Sequence, residues 1–163
     1  MAPFTYDRDQ AVAYANTYWQ NYNPQFKRFS DDCTNFISQC LFAGGMPIEE
    51  TSSKAKGWWY RGIGQRAIWS YSWTVANSLY WYLRKRNGVK VVPKATDLRL
   101  GDVICYDWEG DGRWNHNTMV TGFNENGEPL VNAHTRDSQA RYWRYQDSPG
   151  YTQNTRYAFF QIG

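Results

Sequence analysis

The stretch Ser30-Asp31-Asp32-Cys33-Thr34-Asn35-Phe36-Ile37-Ser38-Gln39-Cys40-Leu41-Phe42-Ala43-Gly44-Gly45 decides how this chain is read. Cys33, Phe36, Ile37, Cys40 and Leu41 recur at helical spacing, the polar run Ser30 to Asp32 precedes them, and the glycine pair stops the helix. Cys33 therefore falls in the first turn. Free N–H groups at a helix start favour negative charge, so a thiol there gains thiolate character, and the same groups can donate to the oxyanion of a tetrahedral intermediate. A free cysteine is more often a small buried hydrophobe. Cys40 and Cys105, well inside apolar elements, fit that description better than Cys33 does.

Before this helix, Asp7 and Gln10 have the form of a capping box, and Ala11, Val12, Ala15, Tyr18, Trp19 and Tyr22 give a first helix that runs until Pro24. After it, residues 49–72 form a loop rich in Gly, Trp and Ser, of a length typical of functional loops. Trp73 to Arg86 predicts a third helix, with Val75, Leu79, Tyr82 and Leu83 inward and Asn87-Gly88 as its stop. From there the period changes to that of strands, at 89–92, 102–106, 116–123, 128–133, 141–145 and 156–162. Helices first and strands second predict an α+β domain, with N-terminal helices packed on a largely antiparallel sheet. At 163 residues the chain is the size of one domain, which we place at 1–163.

Composition narrows the function classes. Hydrophobic residues make up 42% and charged residues 20%, which excludes a disordered or fibrous chain. The 9 Trp, 13 Tyr and 8 Phe are the anomaly, and many stand beside Arg, Asn or Gly, so that some reach the surface. The 18 basic and 15 acidic residues leave a net charge of +3, without the continuous basic stripe of a nucleic-acid protein. Arg84, Lys85 and Arg86 complement the C-terminal dipole of their helix. No stretch approaches the ~20 apolar residues of a membrane span, and the start lacks the apolar run of a secretory signal. Three cysteines without a Cys-x-x-Cys give neither a disulfide framework nor a zinc signature, so no metal is expected. Asp107 to Gly112 partly imitates a calcium loop, but Thr118 stands where a bidentate Glu belongs, which predicts a polar turn instead.

A cysteine nucleophile needs an imidazole to take its proton and return it to the leaving amine, and there are only two histidines, His116 and His134. Both fall on strands joined by Asn124-Glu125-Asn126-Gly127. A three-residue loop with Gly127 left-handed would set His116 opposite Arg136, with His134 a diagonal neighbour on the same face and Asn132 sharing it.

The segment Asp32 to Gln39 with Gly44-Gly45, then Leu100-Gly101-Asp102-Val103, Asn115-His116 and Ala133-His134-Thr135, resembles the bacterial putative amidase domain family. That family is similar to a branch of the NlpC-type cell-wall cysteine peptidases, and the resemblance spans nearly the whole chain. It implies a papain-like fold and an extracellular or cell-envelope enzyme that cleaves amide bonds in peptidoglycan or a related peptide without a cofactor. Matching positions make Cys33 the nucleophile, His116 the base, and His134 or Asn132 the residue that orients it, while Asp32 is placed to contact a substrate amine. Where the NlpC-type pattern has a small apolar pair after the histidine, this chain has Asn117-Thr118-Met119.

The expected mechanism is thiolate attack by Cys33 on an amide carbonyl, proton delivery by His116 to the amine, and hydrolysis of the thioester. The loop at 49–72 would supply substrate contacts through Trp58, Trp59 and Trp69. The rival is a non-catalytic module on the same fold that holds cell-wall glycan or peptide with its aromatics. A thiol at a helix start and two histidines count against it.

Overall fold

The computed structural model describes residues 3–163 and has helices in its first half and strands in its second, an α+β arrangement. Helix α1 (Arg8–Tyr18) starts where the sequence predicts, with the Asp7 carboxylate accepting from the Gln10 N–H at 3.1 Å. Helix α2 (Cys33–Ala43) opens on the cysteine and ends before Gly45, whose φ of +92° suits only glycine. All residues from Cys33 to Leu41 are buried, polar ones included, so α2 is enclosed rather than amphipathic. Its polar side chains hold tryptophans. Ser38 accepts from Trp58 Nε1 at 3.0 Å and donates to the Trp73 carbonyl at 2.9 Å, and Asn35 Oδ1 accepts from Trp73 Nε1 at 3.0 Å.

The segment expected as a cleft-lining loop is folded instead. Glu49 bridges Trp58, and strands β1 (Tyr60–Arg61) and β2 (Ile68–Trp69) pair antiparallel. Trp58 and Trp59 are 0% and 1% exposed, which corrects their expected place at the cleft edge: both indoles find hydrogen-bond partners inside, and burial of so large a ring is favourable once its N–H is satisfied. The third helix is two: α3 (Tyr71–Thr74) and α4 (Ala76–Lys85), separated by Val75 in an extended conformation. The β-branched pair Thr74-Val75 resists helix, and Val75 points outward, contrary to expectation.

Six strands follow: β3 (Val89–Val92), β4 (Val103–Asp107), β5 (His116–Phe123), β6 (Pro129–Ala133), β7 (Ser138–Tyr142) and β8 (Arg156–Ile162). They form one sheet in the order β3-β8-β4-β5-β6-β7, with every neighbouring pair antiparallel. The central β4 is buried throughout, as its apolar run requires. One sheet face carries Val103, Cys105, Met119 and Phe160 against Phe36, Ile37 and Leu41 of α2. The other carries Ile104, Tyr106, Val120 and Phe159, covered by Trp143 and Tyr145 from the segment that follows β7. Arg8 clamps α1 to the sheet through the buried Asp102, at 2.7 Å. Among the described residues, no helix is long and apolar enough to cross a membrane.

Candidate active site

The start of α2 meets the start of β5. Cys33 lines a cavity of about 300 Å³ together with Asp31, Thr34, Asn77, Trp114 and Asn115. No side chain caps this helix start. The thiol is 3.7 Å from the Thr34 hydroxyl and faces the backbone N–H of Asn117, one residue past His116. Burial dominates over these donors and pushes the Cys33 thiol up to about 11, so the protonated thiol is the resting form, against the thiolate expected from helix position alone. Cys105 is pushed up by burial to about 12, and Cys40 is raised by the same cause.

His116 and Asn117 divide the faces of β5 between them. Asn117 pairs across from Cys105 and faces α2, where its amide accepts from Thr34 Oγ1 at 2.7 Å and donates to Cys105 Sγ at 3.0 Å. His116 pairs across from Tyr106 and lies on the opposite face, its ring packed among Tyr145 (centroids 5.2 Å), Tyr106 (5.4 Å) and Trp108 (6.0 Å). Burial, helped by the charge of Arg141, brings its pKa down to about 3, so the imidazole is neutral. Its Nε2 is buried with no partner. Leaving a buried polar atom unpaired costs about 1–3 kcal/mol, so such atoms are rare in native structures; the others among the described residues are Arg141 Nε, Tyr145 Oη and, away from this site, Arg86 Nε. The structure contains no hydrogen bond between Cys33 and His116, although Cys33 is within electrostatic reach of the Tyr145 hydroxyl, whose ring packs on His116.

The hairpin that was to place the orienting residue departs from the expected register. Phe123 pairs with Pro129 and Gly122 with Leu130 as the loop predicts, but a bulge between Val120 and Gly122 shifts the rest, so that Met119 pairs with Asn132. One residue of slip exchanges the faces. Asn132 and His134 therefore share the face of Asn117, not that of His116. Asn132 accepts from Thr121 at 2.8 Å and from the Ala140 N–H at 2.9 Å, and donates to Asn16 at 2.9 Å. His134 bridges Asp32 Oδ2 and the Tyr18 carbonyl, 2.6 Å from each, with its ring stacked on Phe36 at 4.0 Å. Neither side chain touches His116. Asp32 is equally occupied: its other oxygen accepts from the Phe29 N–H at 2.9 Å and from Asn35 at 3.0 Å, and at 1% exposure it is closed to a substrate amine. Asp32 and His134 form a clamp that joins α1, α2 and β6.

A second cavity of about 300 Å³ opens on the His116 side, lined by Asp31, Thr135, Arg136, Arg141 and Tyr145, and it shares Asp31 and Asn115 with the cavity of Cys33. Thr135, Arg136, Ala140 and Tyr145 all have φ between +50° and +58°. Left-handed backbone costs non-glycine residues of order 1–3 kcal/mol each and gathers at binding and catalytic sites. The sequence does not announce Arg141 and Tyr145, since strand alternation cannot reveal the left-handed residues Ala140 and Tyr145 that set the path of this segment. Asn117 was accessible to sequence inspection, because alternation from His116 sends the next residue to the other face. Among the described residues no group of three or more His, Cys, Asp or Glu is placed to hold a metal ion. The Asp107 carboxylate accepts from the N–H groups of Gly110, Asp111 and Gly112, which makes that stretch a turn.

Comparison with known proteins identifies the family. The family described as "Putative amidase domain" matches residues 5–160. An uncharacterized protein of Bacillus subtilis (strain 168), YhbB, is 52% identical over 162 residues, which is 98% of this chain and 51% of that protein. A second from the same organism, the uncharacterized protein YjcM, is 32% identical over 122 residues, 68% of this chain and 26% of that protein. This chain thus spans about half of the first relative's length and about a quarter of the second's. No solved structure matches it significantly.

Proposed function

The chain belongs to the putative amidase domain family, and from that membership and the meeting of the start of α2, which carries Cys33, with the start of β5, which carries His116, we propose that it is a cysteine-dependent amide hydrolase of papain-like, NlpC-type kind. The observation that carries the proposal is the buried, neutral His116 imidazole, whose Nε2 has no partner, in a cavity that adjoins the cavity of Cys33. A neutral imidazole is the form that can accept a proton. Its low basicity and the high pKa of the thiol describe a resting pair that is not yet ionised.

An amide that enters along the shared wall at Asp31 and Asn115 presents its carbonyl to the first turn of α2. Catalytic contacts often tighten only with substrate in place, and the proposed first step is passage of the Cys33 thiol proton to the His116 imidazole at the end of β5, which frees a thiolate to attack the carbonyl. The uncapped N–H groups of the helix start stabilise the oxyanion. His116 then protonates the departing amine, and water activated by the same ring hydrolyses the thioester. The His116 ring is held by aromatic packing on Tyr106, Trp108 and Tyr145 in place of a hydrogen-bonded third residue. The substrate we propose is an amide of peptidoglycan or a related peptide at the cell envelope, by resemblance to NlpC-type enzymes. Burial of Trp58 and Trp59 removes two of the aromatics a glycan-holding module would use.

The test is incubation of purified peptidoglycan with the parent protein, Cys33→Ala and His116→Ala, with released fragments identified by mass spectrometry. Release by the parent and by neither variant supports the proposal. Retention on the glycan with no release by any of the three would make the protein a binding module.

A further inference from the structure

Three buried polar atoms in the wall of the cavity beside His116 lack a well-formed hydrogen bond: His116 Nε2, Arg141 Nε and Tyr145 Oη, whose oxygen has the Ser138 and Arg141 side chains near it while its O–H is left to donate. Native proteins rarely leave such atoms unpaired, and two donors in the wall of one cavity, Arg141 Nε–H and Tyr145 Oη–H, indicate a group that completes them when bound. Their chemistry says which group. Arg141 Nε–H is a donor only, the Tyr145 hydroxyl donates readily, and burial holds that phenol protonated by raising it to about 12. The bound group must therefore accept hydrogen bonds.

Charge narrows it further. Arg136 and Arg141 line the cavity against the single carboxylate of Asp31, which already accepts from Thr135 at 3.1 Å. Arg141 has an ion pair with Asp147 at 2.9 Å, but Asp147 is 77% exposed, and a pair open to water is screened and leaves the guanidinium field available on the buried side. The Arg141 Cζ also lies 3.8 Å from the centroid of the Tyr145 ring, which holds the two side chains against each other. A planar acceptor with two oxygens meets one N–H and one hydroxyl at once.

We propose that this cavity is a carboxylate subsite, in which Arg141 Nε–H and Tyr145 Oη–H bind a carboxylate that the substrate carries close to its scissile amide. The site rests on the amidase reading only for the identity of the molecule that bears the carboxylate. Arg141 and Tyr145 are specificity-determining residues, and His116 remains free for the thiol because the carboxylate draws its donors from the other two.

The experiment compares N-acetylglycine with N-acetylglycinamide, which differ only in carboxylate against carboxamide, by ¹H–¹⁵N NMR titration of the Cys33→Ala protein, where no turnover can occur. The acid is expected to bind about tenfold more tightly than the amide. Arg141→Gln and Tyr145→Phe, each made in Cys33→Ala and confirmed folded by their spectra, should each weaken the acid about tenfold and leave the amide unchanged. Equal affinities for the two probes, no binding of either up to about 50 mM, or a preference for the acid that survives both substitutions overturns the subsite. Hydrolysis by the parent protein separates the two proposals. If the acid preference holds and no amide is ever cleaved, the subsite stands and the amidase reading falls; if acidic and neutral substrates are cleaved with equal kcat/KM, the reverse follows.

Discussion

His134→Ala tests whether the second histidine acts in chemistry or in architecture. In the structure its ring nitrogens are each 2.6 Å from an acceptor, Asp32 Oδ2 and the Tyr18 carbonyl, and its ring is stacked on Phe36 at 4.0 Å. Both members of the pair are 2% exposed at the side chain. Removing the ring leaves Asp32 with one oxygen still served by Phe29 and Asn35 and the other buried without a donor. Breaking a buried pair by deletion of one partner costs about 3–5 kcal/mol, because the remaining charge has no water to turn to. For a domain of this size each kcal/mol lowers Tm by about 2–4 °C, so the variant should melt about 6–20 °C below the parent. The double variant Asp32→Ala/His134→Ala should lose less than the sum of the single losses, since the uncompensated carboxylate goes with it. Thermal and urea unfolding followed by circular dichroism give these numbers, and hydrolysis measured well below the lowered Tm gives kcat. A parent-like Tm with a collapsed kcat would refute the clamp and return His134 to the orienting role.

Other outcomes follow from burial and from the two titrating groups. Trp58→Ala should cost about 3–5 kcal/mol in urea unfolding and should shift substrate KM little, because the indole fills the core and donates to Ser38. Between pH 6.5 and about 3 the unfolded chain binds a proton that folded His116 refuses, so stability falls as pH drops through that window, by up to about 4–5 kcal/mol at its lower end. His116→Phe should remove that component of the acid loss, which pH-dependent urea midpoints will register. Iodoacetamide labelling of Cys33 should accelerate about tenfold per pH unit from about pH 7 to 9, as a thiol near 11 demands, and a pH-independent rate in that range would reveal a preformed thiolate.

The α+β order, the start of α2 at Cys33, the start of β5 at His116 and the end of α4 before Gly88 were legible, because caps, periods and glycines are local signals. The break at Val75 was not, since its cause is a weak propensity that the surrounding packing decides. Trp58 and Trp59 were misplaced for a related reason: a Gly- and Ser-rich stretch looks solvent-exposed until Ser38 and the Lys56 carbonyl are seen to accept from the indoles. The orienting residue was lost to one bulge. The turn fixed the register near Gly122 correctly, but the extra residue at Thr121 exchanged the faces of everything before it, and nothing in Val120-Thr121-Gly122 announces a bulge except the glycine. The raised thiol was missed because helix position suggests a thiolate, and enclosure, which outweighs it, is a property of the packed state.

Acid-quenched mass spectrometry of the protein during turnover of a peptide amide tests the central claim most directly. The account predicts an acyl adduct mapped to Cys33 as a thioester, which accumulates in His116→Ala only if acylation survives and is absent from Cys33→Ala. Hydrolysis that continues in Cys33→Ala, or an adduct on Cys40, Cys105 or no cysteine at all, would contradict it.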